Sequence, residues 1–266
     1  MSILKKFKDF SPSGREIPKR RDKVEEVINE YERWLAEVEM CYIYDILKTP
    51  MPRSFSARDV HRFSKYPYEV KDREFIHSGV FLSLLVNESM DSEFELELGE
   101  RINYLGRENR KKIVIKGDAG HYLGYYMQSG EIILEGSAGD RAGSCMNGGR
   151  IIIKGEAGSW LGESMQGGEI IVEGNAGAGV GFNMSSGRII IKGDVSHSLG
   201  YNMRGGEIII EGNAGASVGG NMLGGEIWVK GRIQSIGSVR SGEIYEGREK
   251  EKGGRESRRT LRREGF

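Results

Sequence analysis

Seven glycines, Gly117, Gly136, Gly155, Gly174, Gly193, Gly212 and Gly231, are spaced nineteen residues apart with no insertion or deletion between them. Whatever this stretch folds into must repeat its geometry at every step. The other positions then fall into columns. A second glycine recurs at Gly124, Gly143, Gly162, Gly181, Gly200 and Gly219 and marks a structural turn, and three residues later comes a methionine: Met127, Met146, Met165, Met184, Met203 and Met222. A third glycine column, Gly130 to Gly225, precedes a short branched apolar run such as Glu131-Ile-Ile-Leu-Glu135. Each unit reads as strand, turn, short extended piece, turn.

A period of this length, rich in β-branched residues and glycine and with no run long enough for a helix, predicts a mainly β solenoid, a right-handed parallel β-helix. The leucine-rich horseshoe needs an L-x-x-L-x-L-x-x-N/C pattern that is absent. No proline follows Pro67, which suits strands that donate and accept on both neighbouring turns. The charges agree. The residue closing each strand alternates as Lys116, Glu135, Lys154, Glu173, Lys192, Glu211, Lys230, and the one opening it as Glu131, Arg150, Glu169, Arg188, Glu207, with Glu226 breaking the alternation. Equivalent positions in a parallel β-helix stack about 4.8 Å apart, and opposite charges so placed stabilise by roughly 0.2–1 kcal/mol a pair.

The two-residue strand period separates inside from outside. With the charged ends outward, Ile132, Leu134, Ile151, Ile153, Ile170 and Val172 point inward to meet Leu123, Leu161, Val180, Leu199, Val218 and the methionines. The middle position must also point outward. It holds Val114, Ile133, Ile152, Ile171, Ile190, Ile209 and Trp228, an apolar stripe about 30 Å long between two charge ladders. Contiguous apolar strips of that size mark interfaces, so these seven residues are the candidate docking stripe, covered by the chain's own N-terminal helix or by a partner.

Composition changes near residue 100, and thirty of the forty glycines lie between 117 and 231. This divides the chain into a mixed helical and strand region over 1–98, a β-helix over 99–247 and a charged, disordered tail over 248–266. The formal net charge is zero with both signs plentiful, so nothing draws the chain to nucleic acid or an anionic membrane. Two cysteines, Cys41 and Cys145, without a signal peptide or long apolar run, place it in a reducing cytoplasm with no disulfide framework.

In the N-terminal region, Val24, Val27, Ile28, Tyr31, Trp34, Leu35 and Val38 mark one helical face after a capping-box spacing at Asp22 and Glu25. A short helix is expected near Ser56–Phe63, then strands around Gly79–Val86 and Glu93–Leu98. Gly99 begins an imperfect turn, and Gly231–Gly247 is a worn final one. Solenoid ends expose unpaired strands and core and need caps, and the N-terminal region is the expected cap.

Chemistry is scarce. Gly177-Ala-Gly179-Val-Gly181 resembles part of a dinucleotide loop, but no helix follows to receive a pyrophosphate. Calcium β-rolls need repeating aspartates, and the repeats hold only Asp118, Asp140 and Asp194. His61, His77, His121 and His197 stand alone, without metal-ligand spacing. Cys145 shares its column with Tyr126, Ser164, Asn183, Asn202 and Asn221, a variety that fits a turn better than a nucleophile, and the three asparagines suggest an amide ladder. No catalytic, cofactor-binding or metal-ligating residue is assigned.

The unit G-x-A-G-x-x-(L/V)-G-x-x-M-x-x-G-x-I-I-(I/V)-x-G, carried most fully by residues 155–174, resembles a repeat common to two enzyme families: the glycine-rich repeat subunit of formylmethanofuran dehydrogenase and the C-terminal domain of the glutamate synthase large subunit. The resemblance covers about residues 99–245. It implies a non-catalytic β-helix scaffold in an oxidoreductase complex of archaeal methanogenesis type, with molybdenum or tungsten pterin and iron–sulfur clusters in partner subunits. The alternative it leaves is a stand-alone glutamate-synthase-type β-helix that binds proteins or self-associates through its outer sheet face.

Overall fold

The computed structural model describes residues 56–64, 74–98 and 101–247. The helix expected over residues 22–38, the turn residue Gly99 and the tail over 248–266 lie outside the described residues.

Among the described residues, two helices and nine strands follow in order: α1 (Ala57–Ser64), α2 (Glu74–Glu88), β1 (Glu93–Glu97), β2 (Lys112–Lys116), β3 (Glu131–Leu134), β4 (Arg150–Ile153), β5 (Glu169–Val172), β6 (Arg188–Ile191), β7 (Glu207–Ile210), β8 (Leu223–Val229) and β9 (Ser241–Glu246). The strands form one parallel sheet in sequence order. Ile132 stands beside Ile151, Ile151 beside Ile170 and Ile170 beside Ile189, and the same register runs from β1 to β8, whereas the step to β9 carries a register shift between Leu223 and Glu226. This is the predicted parallel β-helix, with strands alternating inward and outward as expected, for example Arg150 exposed, Ile151 buried, Ile152 half-buried and Ile153 buried.

Parallel bridges also link Ala119, Ala138, Ala157, Ala176, Val195, Ala214 and Ile233 on a second wall. The third wall is not a regular strand. Positive φ recurs at alternate residues along it, as in Trp160 (56°), Gly162 (65°) and Ser164 (55°), and again in Gly179, Gly181 and Asn183. Amides there bond alternately to the next and the previous coil: Trp160 N–H donates to Ala178 O, Gly162 N–H to Ala142 O and Ser164 N–H to Phe182 O. Left-handed conformations cost an ordinary residue about 1–2 kcal/mol. Here bonds to both neighbours over-determine them, so Tyr122, Arg141 and Trp160 are held where glycine is the usual occupant.

The core is thin, and that decides the glycine columns. A Cβ on Gly162 would lie 2.5 Å from the Ile189 Cδ1 reaching across from the strand wall, besides sitting at positive φ. The methionines pair with the third glycine column: the Met146 Cε methyl lies where a Cβ on Gly168 would be, 2.6 Å away, and Met165 does the same over Gly187. Each methionine therefore fills the space that the next coil's glycine leaves, and all six are fully buried. They are core packing, as their spacing suggests.

The front of the coil is closed by the helices. α1 matches the expected short helix and blunts the free edge of β1, where the His61 imidazole donates from Nδ1 to the Glu95 carbonyl at 2.6 Å and the Glu97 amide donates to Ser64 Oγ at 3.1 Å. Its own first amide, Ala57 N–H, donates to the Asp91 carboxylate. α2 corrects the strand expected over Gly79–Val86. Val80, Phe81, Leu82, Leu85 and Val86 are all buried, and a helix buried nearly all round shows no amphipathic period; a short apolar run of this kind cannot be told from a strand by pattern alone. The helix lies against the first coil. Ser83 Oγ accepts from Arg107 N–H, and a Cβ on Gly79 would collide with the Asn103 carbonyl.

Gly162→Ala should cost about 2–4 kcal/mol, combining left-handed strain with overpacking against Ile189. Chemical denaturation would show it as a lowered midpoint at unchanged slope; a midpoint equal to that of the parent would mean that the wall yields to a methyl group.

Candidate functional site

The outer face of the sheet follows from strand periodicity and coil stacking together. Along it Val114, Ile133, Ile152, Ile171, Ile190 and Trp228 are half-buried, and Ile209 is buried. The stripe does not run the whole length of the sheet. At its front, β1 places Glu95 beside Val114, and at its back Tyr245 of β9 stacks on Trp228 with ring centroids 3.7 Å apart. Of the described helices, α1 packs on β1 and on α2, and α2 lies against Asn103 and Arg107 of the first coil.

The ladders flanking the stripe are paired in space. The Arg150 guanidinium reaches back to Glu131 at 3.6 Å and forward to Glu169 at 3.0 Å, and Arg188 likewise bridges Glu169 at 3.8 Å and Glu207 at 3.2 Å. The lysines of the other ladder each reach the preceding coil: Lys154 to Glu135 at 3.4 Å, Lys192 to Glu173 at 3.1 Å and Lys230 to Glu211 at 3.4 Å. At the front, Lys116 turns to Glu95, whose hydrogen bond and charge raise the ammonium pKa above its ordinary value. From β2 to β7 both ends of a given strand carry the same sign, so whole coils alternate: Glu131 and Glu135, then Arg150 and Lys154, then Glu169 and Glu173, then Arg188 and Lys192. The break falls where Glu207 meets Glu226.

A second ladder, not anticipated from sequence, runs along the corner after the strands. Asp118 Oδ1 accepts the Ser137 amide, Ser137 Oγ the Glu156 amide, Asn175 Oδ1 the Asp194 amide, and Asp194 Oδ1 the Asn213 amide. Each side chain thus ties its coil to the next. The signal was a column of Asp, Ser and Asn one residue after the repeat glycine, residues whose short side chains bond nearby backbone. The asparagine column at 183, 202 and 221 takes a different role from the expected amide ladder. All three hold the left-handed conformation that asparagine tolerates best after glycine, and Asn221 Nδ2 donates to the Tyr201 hydroxyl.

An aromatic and cationic ridge occupies the irregular wall of the first coils. Tyr104 stacks on Tyr122 at 4.5 Å, and Arg141 lies 5.7 Å from the Tyr122 ring and 4.8 Å from the Trp160 ring while pairing with Glu163. Its cation is therefore satisfied within the ridge. Burial, and then the neighbouring Tyr122, push the Tyr104 phenol above its ordinary pKa. Cys145, at φ 56°, is a turn residue beside Ser144.

The glycines predicted as structural turns, Gly124, Gly143, Gly162, Gly181, Gly200 and Gly219, all adopt φ between 64° and 67°. Among the described residues no group of three or more His, Cys, Asp or Glu is placed to hold a metal ion, and no helix is long and apolar enough to cross a membrane.

Arg150→Glu should destabilise more than Lys154→Glu, because arginine loses contacts to two coils and lysine to one. For half-exposed pairs the losses are about 1–2 and 0.5–1 kcal/mol. Thermal melts at low salt read the order, and salt should narrow the gap; equal effects would contradict the two-coil bridge. A second expectation concerns acid. The Ser137 amide first, and Arg101 second, hold the Asp118 carboxyl below its ordinary value. A depressed carboxyl stabilises above the unfolded-state pKa, and that stabilisation is lost as pH falls through the folded value. Asp118→Asn should therefore flatten the stability profile below pH about 4, as urea titrations across that range would show.

Residues 97–249 match the GXGXG motif family, and the stretch Gly177-Ala-Gly179-Val-Gly181 spells that motif on the irregular wall, where Gly179 and Gly181 take positive φ. No curated protein matches the chain. The match spans more than half of the 266 residues.

The chain belongs to the GXGXG motif family, the glutamate synthase C-terminal type, over its β-helix.

Proposed function

We propose that this GXGXG-family chain is a non-catalytic scaffold that docks protein through the outer face of its sheet. The observation that carries this reading is the apolar stripe from Val114 to Trp228 held between two paired charge ladders. Such a face offers burial at its centre and charge at its rim, the arrangement of protein interfaces. The front end is already occupied, since α1 and α2 seal the first coil, and this leaves the long outer face as the surface for assembly.

A second reading follows from the likeness of the repeat to the glycine-rich repeat subunit of formylmethanofuran dehydrogenase. In that case the partner is another member of an oxidoreductase complex, and the likeness implies that any molybdenum or tungsten pterin and iron–sulfur clusters sit in the partners. Both readings make the chain cytoplasmic and soluble, with no role on nucleic acid or membrane.

Purification of the complex from the native host, with mass spectrometry and metal analysis, separates them. The scaffold reading expects the isolated chain to carry no stoichiometric metal, flavin or pterin and to lose its associations when Ile171 becomes lysine while its melting temperature changes little. A pterin- or cluster-binding protein in the complex selects the oxidoreductase reading. A cofactor bound stoichiometrically to this chain alone overturns both.

A further inference from the structure

The order of charges on the outer face points to a particular occupant, and we propose that it is a second copy of this chain, docked face to face with the two solenoids antiparallel. The inference rests on the docking reading above and names its partner.

The argument is one of symmetry. Two identical faces packed together are related by a two-fold axis lying in the interface, and two orientations of that axis are distinct here. An axis along the solenoid sets each coil against its own equivalent. That axis reverses the strand direction, and because both ends of these coils carry the same sign, Glu169 meets the second copy's Glu173 and Arg150 meets its Lys154. Every row repels. An axis along the strand direction sets the solenoids antiparallel. If it passes between the β4 and β5 coils, acidic coils face basic coils throughout: Arg150 meets the second copy's Glu169, Lys154 meets its Glu173, and Glu135 meets its Lys192. Strand direction is kept, so opening residues face opening residues and Ile152 packs on the other copy's Ile171. An axis passing through a coil would again oppose like charges.

This midpoint is also the centre of the aliphatic part of the stripe, which leaves out Trp228. Val114 to Ile209 spans six coils, three on either side of the axis, and all six are paired by it. The alternation fails only beyond this span, at Glu226, where Trp228 and Tyr245 take over the face. An α-helix laid along the stripe has a rise of about 5.4 Å per turn, out of step with coils about 4.8 Å apart, so it cannot match the alternation over six coils. A second copy has the same spacing by construction. Six coils by a strand width of about 16 Å give a footprint of about 500 Å² per copy, below the roughly 800 Å² of a standard interface. The dimer is therefore weak and sensitive to salt.

Sedimentation equilibrium of the full chain up to roughly 300 µM tests this. A reversible monomer–dimer equilibrium that weakens with added salt is expected. Glu135→Lys and Lys192→Glu should each weaken it roughly tenfold, since symmetry places every reversal in the interface twice. Combined, they should restore it to within about threefold of the parent. Within one chain these residues are three coils apart, so their combined effect on the melting temperature should be additive and only association should recover. Ile171→Lys should abolish the dimer, and its melting temperature reports whether the fold has survived. A chain that stays monomeric at low salt, or a double variant that associates no better than the weaker single variant, overturns the proposal. If the chain is monomeric yet loses a co-purifying protein on Ile171→Lys, the docking reading stands and the second copy is wrong.

Discussion

From β1 to β8 each coil of this protein lies in register on an equivalent coil, and each column of residues must therefore be compatible with its own repetition at about 4.8 Å. A charge repeated at that spacing repels itself, so charged columns alternate in sign, with Arg150 placed to hold both Glu131 and Glu169. An apolar residue repeated there packs on itself, so Ile132, Ile151, Ile170 and Ile189 run as one continuous inner ridge. A short polar side chain can reach the next backbone amide, which makes a ladder of Asp118, Ser137, Asn175 and Asp194. One constraint produces three different solutions.

The same constraint explains why the irregular wall persists. Its alternating positive-φ residues would be strained in isolation, but bonds from Trp160 and Ser164 to the coil ahead and from Gly162 to the coil behind leave no cheaper arrangement. Thinness adds the remaining restriction: inward isoleucines reach far enough across to exclude any side chain at the turn glycines, and methionine methyl groups fill what the third glycine column vacates. The interior is fully spent on packing, and among the described residues the outer sheet is the surface where an apolar stripe lies between paired charge ladders.

Much of this was legible because a repeat aligns itself. The β-helix, the inward and outward assignment of Ile151 and Ile152, and the pairing of Arg150 with its neighbours all follow from column positions without any structure. The misreadings arose where the repeat is silent. Gly79–Val86 lies before it, and an apolar run with no period gives no way to tell a strand from a buried helix. The asparagines at 183, 202 and 221 invite a reading by side-chain chemistry, whereas backbone conformation decides their role. Positive φ at Tyr122, Arg141 and Trp160 was illegible because those side chains give no hint of it; only their alternation with the glycine column does.

Coil parity offers the most direct test of in-register, sign-alternating stacking. Excising residues 155–173 removes one coil and sets the Arg150 and Lys154 coil against that of Arg188 and Lys192, whereas excising residues 155–192 removes two and restores the alternation against Glu207 and Glu211. Urea denaturation of both shortened chains at low and high salt is the measurement. The account predicts that salt stabilises the one-coil excision, by screening the new like-charge rows, and leaves the two-coil excision unchanged or slightly weaker. Identical salt responses from the two chains would contradict it.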